Sequence, residues 1–228
     1  MNRRGLLTAA ALAPALLPSL LLAWVPARAT ADTPSLMAAA EAGDTATLRR
    51  LLDAGVPVDS RDAQGRTALL AATQADRVDS ARLLIERGAD VNAKDAIQDS
   101  PFLYAGARGR LAILRLTLAA GADLKSTNRY GGTALIPAAH YGHVETVREL
   151  LKTKIAVDHV NRLGWTALLE AIILGDGGPA HSEIVRLLVA HGADVQRADA
   201  QGVTPLAHAE QRGQRSVVEI LRKAGARA

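Results

Sequence analysis

The sequence repeats itself every 33 residues. Thr67-Ala-Leu, Ser100-Pro-Phe, Thr133-Ala-Leu and Thr166-Ala-Leu stand at that spacing, and Thr204-Pro-Leu follows after 38. A second signature recurs in the same frame, as in Leu84-Ile85-Glu86-Arg87-Gly88-Ala89-Asp90-Val91 and Leu188-Val189-Ala190-His191-Gly192-Ala193-Asp194-Val195. A fixed period of this length confines the chain to a stack of like units, each able to bury its apolar face only against its neighbours. Stepping back from Thr67 by one period reaches Pro34, where Ser35-Leu36-Met37-Ala38-Ala39 opens a truncated first copy.

Local chemistry fixes what each unit is. The leading Thr or Ser caps a helix by accepting an orphan amide, and Pro101 and Pro205 fall at the first helical position, where no amide is needed. Gly43, Gly109, Gly142, Gly175 and Gly213 lie where that helix must stop. A second apolar helix follows, with Val144, Val147, Leu150 and Leu151 at helical spacing, and Gly55, Gly88, Gly121, Gly192 and Gly225 supply left-handed caps. The unit is therefore an antiparallel helix pair followed by an extended, turn-rich link. Composition agrees: aromatic residues are 3% of the chain, so Ala and Leu must do the packing, as suits closely stacked helices.

The runs D-A-Q-G-R-T-A-L-L-A-A at 62–72 and E-R-G-A-D-V-N-A at 86–93 resemble the ankyrin repeat. The resemblance runs from Ser35 to the C-terminus and implies an all-α solenoid of about six helix-turn-helix units with β-turn fingers. The units are placed at 35–61, 62–94, 95–127, 128–160, 161–198 and 199–228. Four departures from the pattern carry expectations. Gln98 stands where other turns have Gly, and Lys154 takes the place of a capping Gly, so both should be strained, and Lys154→Gly should stabilise the stack. Pro137 should distort the first helix of its unit. The extra residues at 176–180 should loop out rather than join a helix.

Residues 1–31 read as a secretory signal: Arg3 and Arg4, an apolar stretch from Leu6 to Val25, and small residues at Ala27-Arg28-Ala29 or Ala29-Thr30-Ala31 for cleavage. Arg3-Arg4-Gly5-Leu6-Leu7 also resembles a twin-arginine signal, leaving both export routes open. The other reading is an uncleaved anchor that would make the protein a membrane-tethered scaffold, but Pro14 and Pro18 interrupt the span. The expectation is a periplasmic protein, monomeric, with no stable membrane insertion once the signal is removed.

Charge argues against nucleic acid. The formal net charge is +4, yet Arg3, Arg4 and Arg28 take three of the 27 basic residues, leaving 24 against 23 acidic ones in the body. Enzyme motifs are missing from the sequence, and with no cysteine there is no thiol nucleophile or ligand. His143 and His181 follow a turn and read as structural hydrogen-bonding residues, and Asp90, Asp123 and Asp194 as turn carboxylates that bond nearby amides. No catalysis, metal or cofactor is expected.

What remains is binding to another protein. In proteins that this chain resembles, the fingers and the exposed ends of the first helices form one concave side. By repeat position, that side displays Arg66, Ile97, Asp99, Arg129, Tyr130, Arg162, Leu163 and Trp165 from the fingers, with Arg108, His140, Tyr141 and Arg212 from the helix ends. Aromatics and Arg dominate interface energies, and Tyr130, Tyr141 and Trp165 are three of the five aromatics beyond the leader. Tyr130, Arg162 and Trp165 should be near neighbours.

Overall fold

The computed structural model describes residues 35–227, so the signal reading of 1–31 lies outside the described residues. Among them, twelve helices follow one another in six pairs: α1 Leu36–Ala42 with α2 Thr45–Asp53, α3 Ala68–Gln74 with α4 Val78–Glu86, and α5 Pro101–Ala107 with α6 Leu111–Ala119. Then come α7 Leu135–His140 with α8 Val144–Leu151, α9 Ala167–Ile173 with α10 Pro179–Ala190, and α11 Pro205–Gln211 with α12 Arg215–Lys223. No strand forms among the described residues; one isolated bridge pairs Arg61 with Thr67.

Odd-numbered helices pack in succession as one layer and even-numbered helices as the other. The first layer is built on small side chains: Ala68, Ala72, Ala105, Ala138, Ala139 and Ala171 are all fully buried. Leu and Ile fill the space toward the second layer, where Leu48, Leu84, Ile113, Leu114, Val147, Leu150 and Leu188 are sealed. Each first helix opens on its cap. The hydroxyls of Ser35, Thr67, Ser100, Thr166 and Thr204 accept the amides of Ala38, Leu70, Leu103, Leu169 and Ala207 at 3.1–3.3 Å.

Thr133 breaks this series, and Pro137 is the cause. Proline has no amide to give the Thr133 carbonyl, so the Ile136 N–H turns to it at 3.2 Å. The Thr133 hydroxyl is left buried without a partner, and α7 starts one residue late and is only six residues long. The expected distortion is present.

The other departures divide. Gln98 holds φ at 68°, in the left-handed region occupied by Gly65, Gly131, Gly164 and Gly202 in the other fingers. Gln98→Gly should therefore raise stability by about 0.5–1 kcal/mol, read as a higher denaturation midpoint. Asp76 is the second non-glycine with positive φ, at 56°, where other units have Gly43, Gly109, Gly142 and Gly213.

Lys154 is a correction: it does not adopt positive φ, although Gly88 and Gly192 at the same place do, at 85°. In those units the amide after the glycine reaches directly back to the helix, as Ala89 N–H does to the Leu84 carbonyl at 3.0 Å. Here the Thr153 hydroxyl stands between the two groups, donating to the Leu150 carbonyl at 2.6 Å and accepting from Ile155 N–H at 3.2 Å. A side chain thus replaces the left-handed turn. Thr153→Val should cost about 1–2 kcal/mol by removing both bonds, whereas Lys154→Gly should bring no stabilisation. Urea denaturation of the two variants checks the pair.

The 176–180 insertion is also corrected in part. Asp176 and Gly177 loop out, but Pro179 and Ala180 form the first turn of α10, which reaches 12 residues. Proline at the first helical position needs no amide there, so the extra residues extend the helix.

Candidate partner-binding groove

Each finger is closed by one side chain that recurs with the repeat. Asp62, Asp95, Asn128, Asn161 and Asp199 accept the amides two and four residues ahead, all at 2.9–3.0 Å. Two neighbouring pairs of fingers, the second with the third and the fourth with the fifth, are then tied through the backbone. Ala96 N–H donates to the Gln64 carbonyl at 3.0 Å, and Arg162 N–H to the Tyr130 carbonyl at 2.9 Å. The Arg162 guanidinium adds a bond to the Arg129 carbonyl at 2.7 Å. The side chains of the fourth and fifth fingers are thereby presented on one stacked edge.

Between this edge and the first helices of the third, fourth and fifth units lies a cavity of about 310 Å³. Seven of the twelve residues expected on the concave side line it: Asp99, Arg108, Arg129, Tyr130, His140, Tyr141 and Leu163. Tyr130, Tyr141 and Leu163 are half exposed, at 56%, 50% and 52%, an unusual outlay of apolar surface on neighbouring units. The Arg108 guanidinium lies 5.7 Å from the ring centres of both Tyr104 and Tyr141, and that of Arg129 lies 4.9 Å over Tyr130. The His140 and Tyr141 rings stack at 4.2 Å. The cations are therefore positioned by ring faces rather than by deep ion pairs; Asp99 approaches Arg129 at 3.8 Å.

The remaining five lie elsewhere. Arg66 is committed to Asp62, Glu41 and Gln74 at 2.8–3.0 Å. Ile97 is an exposed finger tip, and Arg212 is exposed on the sixth unit. Arg162 neighbours Tyr130 as expected and stays outside the lining. Trp165 is half-buried, with its indole N–H sealed and without an acceptor, and it does not line the cavity.

Tyr104, Pro137 and Glu170 line the cavity and were not foreseen. All three stand four residues after the repeat's leading Thr or Ser, a column whose members vary while neighbouring positions remain Ala, Leu or Ile. That contrast, and a lone carboxylate within Thr166-Ala-Leu-Leu-Glu-Ala-Ile-Ile, is the signal that could have found them.

Glu170 is the most perturbed group of the site. It is 7% exposed, and burial pushes its carboxyl up to about 7, opposed by the 2.8 Å hydrogen bond that Asn161 Nδ2 donates to Oε1. His140 Nδ1 is 3.6 Å from Oε2, but burial and the nearby His181 lower the His140 pKa. Both shifts act against an ion pair across this 3.6 Å approach. At the other end, burial and the charge of Asp95 raise the Asp99 pKa.

The histidines elsewhere do structural work. His181 faces the Asp176 carboxylate at 2.8 Å and the His140 carbonyl at 2.9 Å, and His208 faces Asp199 at 2.7 Å. Asp90, Asp123 and Asp194 accept the amides two residues ahead, at 2.8–2.9 Å. Among the described residues no cluster has the makings of a metal site, and no helix is long and apolar enough to cross a membrane.

The family model for ankyrin repeats (3 copies) matches residues 7–95 and 102–199. Ankyrin repeat protein YahD of Escherichia coli (strain K12) is 46% identical over 57 residues, a match spanning 25% of this chain and only 28% of that protein. Among solved structures, an ankyrin repeat domain from Acinetobacter baumannii AYE is 57% identical with a TM-score of 0.82, covering 84% of this chain and 98% of its own. The ankyrin repeat protein EF0377 is 41% identical with a TM-score of 0.79, covering 82% and 96%. The ankyrin repeat domain of Bcl-3, a member of the IkappaB protein family, is 27% identical with a TM-score of 0.76, covering 85% and 87%.

Proposed function

The chain belongs to the ankyrin-repeat family, and on that premise we propose that it grips another protein in the groove lined by its third, fourth and fifth units, after export to the periplasm. Repeats of this family are in general protein-interaction modules rather than catalysts. One observation carries the choice of surface: Tyr130, Tyr141, Leu163 and Leu174 stay exposed around a cavity whose fourth and fifth fingers are tied by the Arg162 bonds to Tyr130 and Arg129. Fixed aromatic and Arg side chains lose little entropy on binding, which is what an interface centre requires. The neutral body outside the leader favours a protein over nucleic acid as the occupant.

Export rests on residues 1–31 alone. Intact mass of the mature protein tests it: loss of the first 29 or 31 residues fits a cleaved signal. Retention of Leu6 to Val25 would favour the tethered-scaffold reading. Affinity capture from periplasmic extract with the wild type and with Tyr130→Ala/Tyr141→Ala tests the groove. A protein retained by the first and lost from the second, with both equally folded by circular dichroism, supports this function; equal retention refutes it.

A further inference from the structure

Resting on that reading of the groove, we infer that its Glu170 end receives a lysine or arginine side chain of the bound protein. Glu170 is left without a full set of partners. Glu170 is more than nine-tenths buried, and only one of its carboxyl oxygens, Oε1, holds a hydrogen bond, from Asn161. Oε2 has only the 3.6 Å approach of His140, too long for a hydrogen bond, and Glu170 is one of the residues that line the groove. Buried carboxylates are normally matched by a cation or by several donors. Among the described residues, no lysine or arginine pairs with this one, whereas Arg66 pairs with both Asp62 and Glu41, and Arg115 and Lys152 both pair with Glu149.

The surroundings suit a long cationic side chain. Ile136, Pro137, Leu163 and Leu174 share the lining with Glu170 and can cover an aliphatic stem while the charged head reaches Oε2. The carboxyl stands near the midpoint of its titration at neutral pH because burial withholds water from it. An arriving ammonium or guanidinium would supply the missing partner and draw it to the ionised form. The groove's own guanidiniums do not fill this place. Arg108 lies over Tyr104 and Tyr141, and Arg129 lies over Tyr130 and beside Asp99.

The test uses octapeptide pools that share randomised flanks and carry arginine, lysine, norleucine or glutamate at one fixed position, with binding read by fluorescence anisotropy at pH 8. The arginine and lysine pools should bind the wild-type protein about tenfold more tightly than the norleucine pool, as a charge-assisted contact in a sheltered site allows. Glu170→Gln, which keeps the size and the Asn161 contact, should abolish the preference of both cationic pools over the norleucine pool. Tyr130→Ala/Tyr141→Ala should weaken every pool. Cationic pools no tighter than norleucine, a preference that survives Glu170→Gln, or tightest binding of the glutamate pool would each overturn the inference while leaving the groove reading intact. Binding of no pool, or binding insensitive to the tyrosine pair, would overturn both.

Discussion

At pH 8, Glu170→Gln should be more stable than the wild type by about 3 kcal/mol, and the difference should vanish near pH 4. The folded carboxyl has its pKa raised to about 7 from an ordinary 4.5. A raised carboxyl favours folding while it is protonated, so its contribution is complete below about pH 4.5 and is lost as pH climbs through 7. Each pKa unit corresponds to about 1.36 kcal/mol, which sets the size of the effect. Glutamine imitates the protonated group at every pH and keeps the oxygen that accepts from Asn161. The carboxyls held low by hydrogen bonds and cations, such as Asp62 and Glu149, act in the opposite sense in acid. They are common to both proteins and cancel in the difference. Urea titrations at a series of pH values read the curve; a gap that stays flat with pH would remove the burial argument. The variant expected to gain stability is also the one expected to lose preference for a cation, which is the exchange anticipated at a binding site.

The second large effect is on affinity. Tyr130→Ala/Tyr141→Ala should weaken binding of the captured partner by at least about thirtyfold, because truncating one aromatic at an interface centre commonly removes about 2 kcal/mol. Both rings are half exposed in the free protein and contribute little to the core, so the melting temperature should stay within a few degrees of the parent. Trp165→Ala should behave in reverse. Its half-buried ring and sealed indole nitrogen tie it to the fold, so loss of stability should exceed any loss of binding. Isothermal calorimetry and thermal melts on the same preparations separate the two outcomes.

What could be read in the sequence was whatever a short stretch of chain decides for itself. The capping hydroxyls of Thr67, Ser100, Thr166 and Thr204 act within four residues, so the start of each first helix followed directly. The finger residues Arg129, Tyr130 and Leu163 were legible from repeat position, and the turns that present them are closed by Asn128 and Asn161. Glu170, Tyr104 and Pro137 were not, because the period says that first helices stack but not which of their faces the stacking leaves open. Lys154 misled for another reason. Position in the repeat carries over a backbone conformation only when no neighbouring side chain offers another route, and the Thr153 hydroxyl offered one. Trp165 shares its repeat position with Asp99 and Gly132, which do line the groove, yet its own bulk settles half inside the fold.

The proposed partner protein is held in the groove of the third to fifth units. Photo-crosslinking in living cells tests it most directly, with a photoreactive amino acid at Tyr141 or Leu163 in the groove and at Arg82 or Arg186 on the exposed side of the second helices. One discrete crosslinked protein is expected from Tyr141 and Leu163 and none from Arg82 or Arg186. Crosslinks to a discrete protein from the second-helix positions alone would contradict it.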